Sequence, residues 1–444
     1  MISHTPAWRA NSRFSPPLFL VRRPRHDGQI GLAIVSQRYP APRIPVWRER
    51  GMPALLLITA AGFSGYAALL PVSPLWAVHG GADAAGSGVV NGLLLLATIA
   101  TQPFVPRLLA RFGTAPVLAA GLLFLGGPSV LHLVSDQLGW ILAMSVLRGF
   151  GFGILTVTGS TTLAQLVPPA RHGAAIGAYG AAIAIPQVVL LPAGPSLTDG
   201  VGYWIVFALG STSILGIAAT PWLARALREN DVERQHFTDM ADNATDSDIS
   251  CQAFDNPSRR RVASRLARPT IILLGATLAG GGIITFAPQM SSAPLATAGG
   301  LALFTVAAAV SRWRIGSLAD RYGTRVFLWP LVLLTVAGLA LTAIAVENPG
   351  GTKVILFLVA LALVGIGYGG IQNLTLLLSL GSVSRKEYGT ASAYWNIGFD
   401  AGTGVGSVLV GTIAAGLSFS PALLVAAAIS LATLPLAFAR GRRT

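Results

Sequence analysis

The chain contains twelve apolar runs, each close to the length of a helix that crosses a membrane. Such a helix needs about 20 mainly apolar residues to cover the hydrocarbon layer. The predicted spans 1 to 12 cover residues 53–78, 87–106, 115–134, 139–164, 174–194, 202–223, 269–290, 294–311, 326–346, 354–380, 388–414 and 419–438. The pattern therefore predicts an all-α membrane protein.

The composition agrees with a surface that faces lipid. Of the 444 residues, 53% are apolar and only 11% are charged, whereas soluble proteins carry about 25% charged residues. A net charge of +14 would suggest nucleic acid in a soluble protein. Here the basic residues lie between the apolar runs rather than in one patch, so we expect membrane lipid and no nucleic acid as partner.

The basic residues also predict the orientation of the chain. All of the 31 lysines and arginines except Arg148 and Lys353 fall in segments that lie on one side if both termini are cytosolic. Cytosolic loops of membrane proteins are enriched in these residues. We therefore expect a multi-pass protein of the cytoplasmic membrane with both termini in the cytosol.

The apolar runs fall into two groups of six. The predicted organisation is a basic, disordered N-terminal extension at 1–52, a six-helix bundle at 53–223, a cytosolic linker at 224–268, a second six-helix bundle at 269–438 and a cytosolic tail at 439–444. The linker is interpreted as a solvated tether. The extension is either an arm that lies on anionic lipid or a segment outside a protein whose translation begins at Met52.

The two halves share sequence features in one register. Residues 149–153 read GFGFG and residues 365–369 read GIGYG, a shift of 216 that also pairs Tyr179 with Trp395. A second echo relates Arg111-Phe-Gly113 to Arg321-Tyr-Gly323. Two related six-helix halves are typical of secondary transporters that bind solute near the middle of the membrane.

The most specific motif is GSLADRYGTR at residues 316–325, predicted to form a cytosolic loop between spans 8 and 9. It resembles the loop signature G-x-L-A-D-R-x-G-R-K of the major facilitator superfamily. The resemblance implies a fold of two six-helix bundles and a gating role for Gly316, Asp320, Arg321, Gly323 and Arg325. The first-half copy has Pro106 in place of the family's glycine and Ala110 in place of its aspartate, so the first-half latch is partly missing.

Two charged residues within spans are candidates for proton coupling. Arg148 in span 4 resembles the family's arginine that precedes glycines, and the alternative is an arginine that anchors packing. Asp400 in span 11 lies on a polar face with Ser392, Asn396, Thr403 and Ser407. Low-dielectric surroundings disfavour a charged carboxylate, so Asp400 is a candidate proton carrier. The alternative is an aspartate that is hydrogen-bonded to backbone and has no role in coupling.

Other residues are candidates for gating, for the solute cavity or for helix packing. Pro71 and Pro74 should distort the outer end of span 1 and free backbone groups, and Pro288 occupies a similar place in span 7. We expect Asn396, Thr403, Gln372, Asn373 and Gln187 to line a solute cavity or to bond between helices. Gly398, Gly402 and Gly406 form a stripe on which another helix can pack.

These features favour a proton-coupled exporter of small apolar or amphipathic compounds, because the spans contain few charges. Span 5 shares with drug–proton antiporters only Pro186 of a glycine–proline motif. The alternatives are a proton-coupled importer of a neutral solute such as a sugar, and a receptor that does not transport. We expect a functional monomer that is not an enzyme, with no cofactor and no metal site.

Overall fold

The computed structural model describes residues 19–24, 30–35, 45–167, 171–244, 259–291, 293–347, 353–384 and 387–438. Within them lie twelve helical segments long and apolar enough to cross a membrane, so the predicted spans are confirmed. The helices are α1 (Met52–Leu69), α2 (Val72–His79), α3 (Ala84–Thr101), α4 (Val105–Phe112), α5 (Thr114–Leu131), α6 (Leu138–Leu166), α7 (His172–Gly200), α8 (Tyr203–Gly210), α9 (Thr220–Ala244), α10 (Arg259–Met290), α11 (Pro294–Tyr322), α12 (Thr324–Ala345), α13 (Val354–Gly381), α14 (Tyr388–Gly416), α15 (Phe419–Ala432) and α16 (Leu434–Phe438).

Some spans contain two helices. Spans 1, 2, 6 and 12 consist of α1–α2, α3–α4, α8–α9 and α15–α16, respectively. The other eight spans are single helices: spans 3 to 5 are α5 to α7, and spans 7 to 11 are α10 to α14. Proline explains two of the interruptions, since it lacks the N–H that would continue a helix. Pro71 lies between α1 and α2, as predicted, and Pro103 lies in the 3₁₀ turn Gln102–Phe104 between α3 and α4. Span 7 differs from the expectation, because α10 continues through Pro288 to Met290.

The segment before span 1 differs from the predicted disordered extension. Strand β1 (Phe19–Pro24) pairs antiparallel with β2 (Ile30–Val35), with Phe19 opposite Val35. Closer to the membrane, Val46 is buried and Glu49 accepts a hydrogen bond from Arg171. Residues 45–51 therefore pack on the N-terminal bundle and are not part of a disordered extension.

The linker and the gating motif are more helical than predicted. Helix α9 continues to Ala244 and α10 begins at Arg259, so both ends of the predicted tether are helical, and residues 245–258 lie outside the described part. Helix α11 continues to Tyr322, so most of the predicted loop at 316–325 is the end of a helix. The side chains of Asp320 and Arg325 also lie outside the described part.

The two motif copies turn the chain in the same way. Gly113 separates α4 from α5 with φ of 80°, and Gly323 separates α11 from α12 with φ of 87°. Only glycine adopts this left-handed region readily, because it has no β carbon. The sequence echo at Arg111–Gly113 and Arg321–Gly323 is therefore an equivalent one-residue turn in each half.

The glycine repeats place neighbouring helices in backbone contact. A β carbon added at Gly149 would lie 2.3 Å from the Leu94 carbonyl oxygen of span 2, and one at Gly151 would lie 2.4 Å from the Gly121 carbonyl oxygen of span 3. In the second half, Gly365 contacts span 8 in the same way, with 2.3 Å to the Phe304 carbonyl oxygen. Gly367 contacts span 9. Alternate glycines of spans 4 and 10 thus pack against the two preceding spans of their own half, which agrees with the predicted repeat.

We predict that Gly369→Ala destabilises the protein. The added β carbon would lie 2.0 Å from the Ala308 carbonyl oxygen of span 8, and overpacking of this kind costs about 1–3 kcal/mol. The matched control is Gly381→Ala on the same helix, where a β carbon has no heavy atom within 4 Å. Thermal unfolding in detergent should show a lower Tm for Gly369→Ala only, and equal Tm values would contradict the packing argument.

Candidate functional site

The bundle has two chemically different ends. The basic face carries exposed arginines at the ends of spans 2, 6 and 8, namely Arg107, Arg111, Arg225, Arg228 and Arg321. The acidic face carries the loops at the other ends of the spans, with Asp83, Asp136, Asp199 and Glu347. The position of a candidate residue along its span is given by its nearness to one of these two faces.

Spans 2 and 11 join the two halves in a close contact, which we call the inter-half seam. A β carbon at Gly88 would lie 2.5 Å from the Ser407 carbonyl oxygen, and one at Gly411 would lie 2.5 Å from the Ala84 carbonyl oxygen. Both pairs lie toward the acidic face, because span 2 starts and span 11 ends there. Glycine is what permits backbone atoms of the two halves to approach so closely.

A buried hydrogen-bond network reinforces the seam. Asn91 Nδ2 donates to the Leu70 carbonyl oxygen at 2.8 Å and to Thr285 Oγ1 at 2.9 Å. Thr285 Oγ1 lies 3.1 Å from Ser407 Oγ, which donates to the Gly88 carbonyl oxygen at 2.8 Å. The network connects spans 1, 2, 7 and 11, and so holds the two halves together near the acidic face.

One acceptor of this network is a backbone carbonyl that a proline leaves without its usual helical donor. In a regular helix the Leu70 carbonyl would accept from residue 74, but Pro74 has no N–H to donate. A carbonyl left unpaired in a membrane is costly. The Asn91 side chain on span 2 donates a hydrogen bond to this carbonyl instead. The contact confirms the prediction that the prolines of span 1 free backbone groups.

Asp400 lies on the inter-half seam, where it contacts the other half. Its side chain is buried, at 3% exposure, and Oδ2 accepts a hydrogen bond of 2.8 Å from Gln102 Nε2 of span 2. Tyr66 of span 1 and Tyr368 of span 10 are both close enough to interact electrostatically with Asp400. The carboxyl group therefore lies between the halves, bonded to the amide of Gln102 and within electrostatic range of two phenol groups.

Arg148 is fully buried in the N-terminal half. Its Nη1 donates to Ser73 Oγ at 3.3 Å and its Nη2 to the Gly65 carbonyl oxygen at 3.4 Å, and both contacts are with span 1. Its Nε has no hydrogen-bond partner among the described residues. Tyr66 interacts electrostatically with both Arg148 and Asp400, so the two charged residues share one neighbour while the recorded bonds of Arg148 go to neutral groups.

The remaining cavity candidates fall into two groups. Thr403 and Gln372 lie beside Tyr368, close to Asp400. The others are placed elsewhere. Asn396 donates to the Ser392 carbonyl of its own helix, Asn373 donates to the Arg312 carbonyl on span 8, and Gln187 is half-buried in span 5.

The predicted glycine stripe of span 11 and one glycine of the gating motif both lie in close contact with a neighbouring span. Gly316, of the gating motif, lies against Asn373, since an added β carbon would be 2.8 Å from its Nδ2. Gly402 and Gly406 pack on span 7, where β carbons would lie 2.7 and 2.0 Å from the carbonyl oxygens of Leu274 and Leu278. Arg321 and Gly323 are exposed on the basic face.

Sequence reasoning missed four residues of the site. Gln102 and Asn91 are amides within a predominantly apolar span, and that signal could have singled them out. Tyr66 and Tyr368 carried no comparable signal, because aromatic residues in spans usually serve packing. Tyr66 indeed stacks on Phe152, with ring centroids 3.9 Å apart and planes within 3°.

Comparisons with known proteins agree on one family. A family model described as Major Facilitator Superfamily matches residues 55–380 and, in a second match, 270–444. An uncharacterised MFS-type transporter of Mycobacterium tuberculosis is 30% identical over 139 residues, which are 31% of this chain and 24% of the relative. The chain therefore aligns with about a quarter of the length of that curated relative.

Solved structures share the fold. The crystal structure of the nucleoside transporter NupG is 13% identical, with a TM-score of 0.62 over 87% of this chain and 99% of that chain. A bacterial homologue of the human lysosomal transporter Spinster, in an inward-facing and unoccupied conformation, is 13% identical, with a TM-score of 0.63 over 87% and 94% of the two chains. At these identities the likeness extends to the fold alone.

We predict that Gly411→Val loosens the inter-half seam at the acidic face. The larger side chain meets backbone of span 2, and overpacking of about 1–3 kcal/mol changes the ratio of closed to open molecules by about 5- to 150-fold. The readout is alkylation of an introduced Ser87→Cys by a membrane-impermeant maleimide, in a Cys251→Ser background.

Gly416→Val is the control, because a β carbon there has no heavy atom within 4 Å. Alkylation should be faster for Gly411→Val than for Gly416→Val. Equal rates in the two variants would show that glycine packing does not keep this end of the seam closed.

Proposed function

Because the chain belongs to the major facilitator superfamily, we propose that it is a secondary transporter that moves a small solute across the cytoplasmic membrane by alternating access. The two halves would rock about a solute site at the middle of the membrane. We propose that the transporter is proton-coupled and that its direction is export, with Asp400 as the proton-binding residue.

The basic face is the cytosolic face in this proposal. Its support is the distribution of arginine and lysine, which collect on the cytosolic side of membrane proteins. Both termini then lie in the cytosol. The inter-half seam, closed near the acidic face by Gly88, Gly411 and the Asn91 network, then separates the solute site from the outside.

The burial of Asp400 between the halves is the observation that carries the coupling proposal. An ionised carboxylate is expensive inside a membrane, and such groups mark proton and substrate paths. Asp400 contacts span 2 across the seam, so binding or losing a proton changes an interaction that both halves share. Arg148 supplies a second buried charge in the first half and shares Tyr66 as an electrostatic neighbour with Asp400.

Two clusters of aromatic rings support the proposal that the solute is apolar or amphipathic. Phe63, Tyr66 and Phe152 form a cluster in the first half, with Phe63 and Phe152 centroids 5.4 Å apart. Tyr368, Phe399 and Trp395 form a chain in the second half, with centroids 6.2 and 5.7 Å apart. Aromatic faces bind apolar groups well, and a few polar groups fix the orientation of the ligand.

We also propose that the motif at 316–325 latches the basic face in one state. Gly316 brings span 8 against span 10, and Gly323 ends α11 with a one-residue turn. Asp320 would pair with a helix N-terminus or an arginine in the closed state. The first half lacks this carboxylate, because Ala110 stands at the equivalent position.

One contact favours the alternative of import of a neutral solute. Thr403 and Gln372, beside Tyr368, offer a hydroxyl and an amide that could bind the hydroxyl groups of a sugar. Gln372 Nε2 is buried without a partner among the described residues. Vesicles of known orientation distinguish the two directions, because an imposed proton gradient would drive solute out of the cytosolic compartment for export and into it for import.

We predict that Asp400→Asn abolishes solute accumulation driven by a proton gradient. Asparagine keeps the shape of the side chain but cannot exchange a proton. Solute exchange without a gradient should persist, because it needs only the movement of the loaded protein. The measurement is uptake of a panel of amphipathic fluorescent compounds into proteoliposomes with an imposed pH gradient.

The control is Glu347→Gln, which neutralises an exposed carboxylate at the acidic face. It should accumulate solute as the wild type does. If Asp400→Asn accumulates solute normally, Asp400 does not couple proton and solute movement.

A further inference from the structure

The hydrogen bond between Gln102 and Asp400 is the innermost of the side-chain bonds described across the inter-half seam. Three such bonds lie nearer the acidic face, from Asn91 to Thr285, from Gln289 to Ser87, and from Ser407 to the Gly88 carbonyl. Gln102 lies 18 residues beyond Ala84, the first residue of α3. The bond to Asp400 is therefore the one of these four bonds that lies nearest the basic face.

The regular α-helix of span 2 is interrupted at the same place, and we call this interruption the hinge. Helix α3 ends at Thr101, and the 3₁₀ turn Gln102–Phe104 contains Pro103. Pro106 follows in α4 and cannot donate to the Gln102 carbonyl, which instead accepts from the Val105 N–H. The amide that contacts Asp400 is thus attached where span 2 can change direction without breaking regular helical hydrogen bonds.

The same part of the chain lacks the carboxylate latch of the second half. The second-half motif has Asp320, whereas the first-half copy that follows span 2 has Ala110 at that position and Pro106 in place of glycine. The end of span 2 therefore has no carboxylate at the position where the second half has Asp320. In the described residues, the polar contact nearest to this hinge is the one from Gln102 to Asp400.

We propose that Gln102 is a positioning residue that ties span 2 to span 11 when Asp400 is ionised and releases it when Asp400 binds a proton. The contact between the halves and the proton site would then be one and the same pair of side chains. This inference rests on the proposed function, in which Asp400 carries the proton.

The chemistry of the pair gives the sign of the effect. An amide N–H bonds an ionised carboxylate roughly twice as strongly as it bonds a neutral acceptor. The other titratable groups that face Asp400 are the phenols of Tyr66 and Tyr368, with Arg148 and Arg312 behind them. Span 7, which packs on the opposite side of α14, presents leucine and threonine there. Gln102 is thus the neighbour from the other half whose bond strengthens when the proton leaves.

The test measures the distance between the basic ends of spans 2 and 11 without any solute. Spin labels at Arg107→Cys and Tyr394→Cys, both exposed positions, report this distance in proteoliposomes over a range of pH. In the wild type, the ratio of separated to closed molecules should rise about fivefold as pH falls, the factor that weakening one hydrogen bond produces.

Gln102→Met preserves the length of the side chain and removes the amide, so the distance should no longer respond to pH. Gln102→Asn, a shorter amide, should show a reduced response and provides a second variant if the first folds poorly. Gln137→Met, at an exposed position before α6, is the matched control and should respond as the wild type does.

The outcomes separate this inference from the proposed function. If Gln102→Met keeps the full pH response of the distance, Gln102 does not tie span 2 to span 11, and the inference is overturned. This holds even when Asp400→Asn has lost coupled transport. Normal coupled transport by Asp400→Asn overturns the proton role of Asp400 itself. The inference is supported if both Gln102→Met and Asp400→Asn lose the pH response of the distance while Gln137→Met keeps it.

Discussion

Backbone contact between helices is the interaction on which the rest of the structure depends. Lipid is as apolar as leucine, so apolar side chains alone give these helices little reason to associate. Glycines on spans 4, 10 and 11 remove the side chains that would keep the backbones apart. Alternate glycines of spans 4 and 10 contact two preceding spans each, which makes each half a compact unit. Gly88 and Gly411 allow the same close approach of backbones between the two halves.

Polar groups then collect where the glycine-packed units meet. A hydrogen-bonding group within lipid must find its partner inside the protein. Asn91 satisfies the carbonyl freed by Pro74, and Gln102 satisfies Asp400. Both amides come from span 2, and both of their partners lie on other spans. Span 2 therefore contributes both of the amides at the seam, while the glycines keep it close enough to span 11 for the bond to Asp400 to form.

The two halves repeat in packing but differ in charge. Ala175 and Ala391 are both fully buried, and Tyr179 and Trp395 both turn toward the glycine-rich span of their own half, against Gly159 and Thr375. The charges do not repeat, because Arg148 belongs to the first half and Asp400 to the second. The two halves therefore differ in the sign of their buried charged residue, although they share the same packing.

Much of the architecture could be predicted from local sequence. The length of the apolar runs defined the spans, and glycine spacing identified Gly402 and Gly406 as a packing surface. The isolated charges Arg148 and Asp400 were singled out because charge is costly in lipid. The partner of Asp400 could not be predicted, since Gln102 lies 298 residues away and only the docking of the halves brings them together. Hairpin β1–β2 and the helical end of α11 were missed because short segments carry a weak periodic signal.

Solute-induced proton flux tests most directly the claim that the buried carboxylate at the seam couples the two movements. Proteoliposomes that contain a pH-sensitive dye in the lumen and have no imposed gradient would receive a transported compound on one side. The account predicts a proton flux opposite to the solute flux in the wild type and none in Asp400→Asn. Solute movement in the wild type without any proton flux would contradict it.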